Sequence, residues 1–169
     1  MEQQIFNIFF KHTWIMFMAV TFLNAFVLKK RFDKYAEQQP EMEDAYRKII
    51  NGIITYGNIP WIIMMLGDIS GYTNGVFDFF NPSSLNPFVL LFHFSIIVFW
   101  LISIRWIFFK NGAEFLANHP ELTRKGNYSK FSYGATEIKI LFVVILIGGI
   151  AAMLMMWFAG DIPASFSPR

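Results

Sequence analysis

Residues Asn86–Phe109 read NPFVLLFHFSIIVFWLISIRWIFF. From Pro87 to Ile104 the run is apolar, interrupted only by His93, Ser95 and Ser103. About 20 apolar residues in a helix cross the ~30 Å hydrocarbon layer of a bilayer. The solvent around this stretch is therefore lipid, and its odd residue is His93.

Three further blocks share the pattern. The 169-residue chain is 55% hydrophobic and 19% aromatic, with 21 Phe, above the ~45–50% apolar content of a soluble domain. The apolar excess falls at about 5–28, 49–67, 87–109 and 136–159. These expectations describe one transmembrane domain over 1–169: an all-α, four-helix, up-down-up-down bundle. Gly52, Gly57 and Pro60 predict a kink in the second span near Asn58–Pro60. Short interfacial helices are expected between Arg31 and Tyr46 and between Ala113 and Asn118. The N-terminal MEQQIFNIFFKH lacks the basic start and cleavage site of a signal peptide, so the first span is expected to be retained.

Charge predicts orientation. Connector 29–48 carries six Lys and Arg, connector 110–135 carries four, and connector 68–86 carries none. Loops 29–48 and 110–135 are expected to be cytoplasmic, with both termini outside, in a bacterial inner membrane. The net charge of +2 and the lack of basic motifs exclude nucleic acid as a partner. Zero Cys excludes disulfides and thiol chemistry.

A faint repeat predicts two tandem helical hairpins. His12 aligns with His93 and Lys29 with Lys110, both at an offset of 81. Each histidine lies 17 positions before its lysine, so both imidazoles are expected ~25 Å above the inner boundary. An imidazole in lipid needs a hydrogen-bond or metal partner. Two at one level suit the axial positions of a b-type haem, whose macrocycle belongs among Phe, Ile and Leu. The alternative is that each histidine bonds a neighbouring carbonyl or hydroxyl. Copper is the other metal reading, with Met16, Met64 and Met65 joining the imidazoles through soft sulfur; ordinary gap-filling is the plain role of those methionines.

Asn51, Thr55 and Asn58 share one face of the second span, as interhelical glue or as the lining of a quinone or water path. Gly148, Gly149, Ala151 and Ala152 invite close backbone approach, within the chain or with a partner. His119, Asp68 and Asp78 read as solvated loop residues. No catalytic motif is present, so the chain is not expected to be an enzyme by itself. The leading functional expectation is a small haem-bearing cytochrome or anchor subunit passing electrons to a partner or quinone. Its layout resembles that of small haem-bearing membrane anchors of oxidoreductase complexes. The alternatives are a non-catalytic accessory subunit packed on a larger membrane complex, or a small oligomeric transporter or copper-binding protein.

Overall fold

The computed structural model describes residues 9–119, 122 and 133–158. The expected start of the first span and end of the last, and connector residues 120, 121 and 123–132, lie outside them. The order is α1 (Thr13–Ala36), a 3-10 turn (Pro40–Met42), α2 (Glu43–Ile69), 3-10 turns at Val76–Phe80 and Pro82–Ser84, α3 (Pro87–Phe109), α4 (Gly112–Asn118) and α5 (Ala135–Phe158). Four of these helices are long and apolar enough to cross a membrane. The chain is an all-α, four-helix integral membrane protein.

Helix ends follow local chemistry. At α3, the Asn86 side-chain oxygen accepts the Phe88 N–H at 3.0 Å, and its amide donates to the Tyr72 carbonyl at 2.6 Å. Pro87 takes the first helical position, where a missing N–H costs nothing. At the far end Asn111 turns left-handed (φ 55°) and Gly112 opens α4. A Cβ on Gly112 would stand 2.6 Å from the Trp106 ring, so only glycine lets this corner close. The short helix expected between Ala113 and Asn118 is α4. The region from Arg31 to Tyr46 is the end of α1, the Pro40–Met42 turn and the start of α2.

Both helices of this first hairpin outrun their apolar cores. Polar ends extend them through i, i+4 pairs, Lys29–Asp33 at 2.9 Å and Glu43–Arg47 at 2.7 Å. Such exposed pairs add little stability. Helix α2 continues through Pro60 as one element. A Cβ on Gly57 would stand 3.3 Å from the Thr21 methyl of α1, so the glycine lets the two helices approach closely beside the proline.

Packing is concentrated at the two ends. Helix α2 sits between α1 and α3, whereas α5 leans mainly on α4. At the end carrying residues 70–86, Ile63, Met64, Val76, Phe79, Val89 and Phe92 form the larger core. Phe79 is fully buried, with its ring 5.1 Å from Phe92. The connector phenylalanines thus cap the bundle. At the other end Ile107, Ala113 and Ile138 form a smaller cluster. There Lys139 donates to Glu114 at 2.6 Å, tying α5 to α4.

Phe79→Ala should cost about 3–5 kcal/mol, because it empties a fully packed site; detergent unfolding reads this directly. The hydrogen bond from Lys139, first among the causes, holds the Glu114 carboxyl below the usual carboxylate range. A depressed folded value means this contact contributes fully above the unfolded carboxylate value. Its contribution fades as pH falls through the lower folded value. Glu114→Gln should therefore remove part of the acid-side loss of stability in a pH series of unfolding curves.

Candidate functional site

The end carrying residues 70–86 gathers most of the buried polar chemistry among the described residues. Four structural facts build it. Helix α2 ends at Ile69, and the chain turns back through Gly71 with φ 75°. Thr73 N–H bonds the Gly67 carbonyl at 3.1 Å, closing the helix end. Gly75, with φ 130°, lies against the Phe10–Lys11 backbone, where a Cβ would come within 2.8 Å of the Phe10 carbonyl oxygen. Phe77 then stacks on Phe10 at 5.0 Å. Segment 75–80 thereby bridges from the approach to α1 across to α3.

Asp68, the penultimate residue of α2, is the first polar centre. Its side chain is 2% exposed, contrary to the solvated-loop expectation. Oδ2 accepts from His12 Nδ1 at 2.9 Å and from Trp14 Nε1 at 3.1 Å. Oδ1 is buried without a partner among the described residues. A carboxylate in an apolar region demands donors, and here they come from a helix more than 50 residues away in sequence. Sequence reasoning does not single out Trp14. The one available signal is a tryptophan two positions from a histidine at the start of an apolar run. Asp78 acts locally, accepting the Asn74 N–H at 2.6 Å.

His93 is the second centre. It is 2% exposed, and its Nε2 lies 2.9 Å from the Phe79 carbonyl oxygen. A carbonyl only accepts, so Nε2 carries the proton. In the neutral ring Nδ1 is then a bare lone pair, and it is buried with no partner among the described residues. An unsatisfied buried acceptor costs about 1–3 kcal/mol. His93 lines a cavity of about 170 Å³ together with Met64, Met153, Met156, Trp61 and Trp100. The cavity lies where α5 approaches α3, with Gly149 pressed to the Trp100 ring and Trp157 edge-on to His93 at 6.0 Å.

Both histidines thus serve the same end of the bundle, each with one nitrogen anchored on oxygen. They are not joined: His12 does not line the His93 cavity, and its anchored nitrogen faces Asp68 of α2. His12 stands immediately before α1 and is 42% exposed, whereas His93 is six residues inside α3. The alignment at offset 81 therefore pairs unlike positions. Of the methionines considered for copper, Met64 is buried beside His93, Met16 is exposed and Met65 is half-buried.

The polar face of α2 divides. Asn58 is buried and donates to the Ile54 carbonyl at 2.6 Å, while Asn51 and Thr55 are exposed. His119, expected to be solvated, stacks on Phe115 at 4.4 Å and bonds its carbonyl at 2.7 Å. Its ring also meets Tyr46 edge-on, which joins α4 to the start of α2.

Asp68→Ala would strand two N–H donors, and should cost about 1–3 kcal/mol in detergent unfolding. Asp68→Asn keeps an acceptor oxygen and should recover part of that loss. Comparison with protein-family models, curated proteins and solved structures finds no match, so the site's chemistry is argued from its own residues.

Proposed function

We propose that this protein is a non-catalytic subunit that seats its last span against a transmembrane helix of another membrane protein. The observation that carries this reading is the state of α5. Among its 24 residues only Ile138 is buried. Gly149 is covered by Trp100, but a Cβ on Gly148 would meet nothing within 4 Å. Ala151 and Ala152 are exposed beside it. Lipid chains cover Ile, Leu and Val as well as any partner does. Small residues at i, i+3 and i+4 are what allow a second helix backbone to approach closely. The sequence also offers no nucleophile–base or carboxylate set for chemistry of its own. The lysine and arginine asymmetry supports placing residues 70–86 on the outer face.

A photo-crosslinking residue placed in native membranes at exposed Val144 or Met155, which flank Gly148 on the same helix face, tests this. One heterologous protein adduct is expected, absent when the probe sits at exposed Ile150, which points away from that face, and lost in Gly148→Leu. Adducts only to lipid or to a second copy would overturn the reading.

A second reading, an electron carrier with haem b held by His12 and His93, is favoured by one observation. Each imidazole has one nitrogen anchored on an oxygen, Asp68 or Phe79, as metal-ligating histidines have. Bound haem would supply one-electron transfer, with quinone or a partner protein as the exchange point. Segment 75–80 would have to part to admit it. A Soret band with sharp reduced bands, lost in His93→Ala, is the expected spectrum; a colourless protein would exclude it.

A further inference from the structure

The lone pair on His93 Nδ1 is the unexplained feature of the bundle. It belongs to a side chain only 2% exposed, and nothing among the described residues donates to it. The Phe79 carbonyl fixes the tautomer, because it takes the Nε2 proton. A water could donate to Nδ1, but a buried water needs two to four polar partners. The cavity beside His93 offers very little polar surface of any kind. What it does offer is sulfur. Met64, Met153 and Met156 line the same 170 Å³ cavity. Met64 comes from α2, His93 from α3, and Met153 and Met156 from α5.

We propose that this cavity binds a soft monovalent cation, Cu(I), through His93 Nδ1 and the thioethers of Met64, Met153 and Met156. The donor set carries the choice. Thioether and imidazole are soft and borderline ligands, which select Cu(I). Calcium, magnesium and manganese look for carboxylate, carbonyl or water, and the lining supplies no carboxylate. The four donors are neutral, so a single positive charge is the most that this apolar setting tolerates. Trp61 and Trp100 also line the cavity, and aromatic rings are the apolar groups best suited to stand near a cation. The Phe79 carbonyl on Nε2 is the outer contact that orients a ligating imidazole. Binding is a ligation step without electron transfer: the tautomer already leaves Nδ1 unprotonated, and no proton is released. The site would also tie α5 to α2 and α3 at the end where the packing between them is thin. It depends on neither reading under Proposed function, and a haem on His93 would exclude it.

The test uses the full-length protein in mild detergent. Cu(I), buffered by a chromogenic chelator under reducing conditions, is titrated in, with Ag(I) as a redox-inert probe. The expected result is uptake of one ion per chain, with quenching of tryptophan emission and no uptake of Zn(II). The variant Met153→Leu with Met156→Leu conserves volume. It should keep the thermal midpoint while weakening Cu(I) binding by roughly tenfold or more. His93→Ala should weaken it further. Absence of uptake by the wild type would overturn the proposal. So would unchanged affinity in the methionine variant, or a Soret band in the purified protein. A helix partner captured on the Gly148 face would leave it untouched, because Gly148 does not line the cavity.

Discussion

Phe79 ties the bundle together twice. Its ring fills the core against Phe92, and its backbone carbonyl receives the His93 N–H. In lipid, a polar group that loses its partner finds no water to replace it. The position of segment 75–80 and the tautomer of His93 therefore stand or fall together. The same logic governs Asp68, whose burial is tolerable only because His12 and Trp14 reach it from the start of the first span.

This distribution explains why the molecule is held at its ends. The long apolar faces of α1, α3 and α5 have no hydrophobic incentive to meet one another, since lipid solvates them equally well. Contacts form where aromatic rings, hydrogen bonds or glycines make one neighbour better than lipid. Those features cluster at the Phe79 end and, more sparsely, at the α3–α4 corner.

The spans were legible because the bilayer imposes a length and a composition that any chain must meet. The start of α3 agrees with the start of its apolar run, and Asn86 and Pro87 add a local reason for it, a cap followed by a residue suited to the first turn. Asp68 was not legible. Its neighbours in sequence look like a turn, and its partners lie beside a different helix. His93 stands out as anomalous in lipid, but nothing nearby in sequence identifies the Phe79 carbonyl as its acceptor. The pairing of His12 with His93 rests on equal spacing to two lysines, and spacing along separate helices does not say which neighbour each ring meets.

The unequal lengths of the helices have a mechanical consequence. Helices α1 and α2 have 24 and 27 residues, against 23 in α3, so α2 is about 40 Å long where the hydrocarbon is ~30 Å thick. Helix α2 alone, among α1, α2 and α3, carries several residues more than its neighbours. A thinning membrane would press α2 to tilt sooner than α3, shearing the two against each other along their seam. Bilayer thickness is thus a variable to which α2 and its neighbours respond unequally.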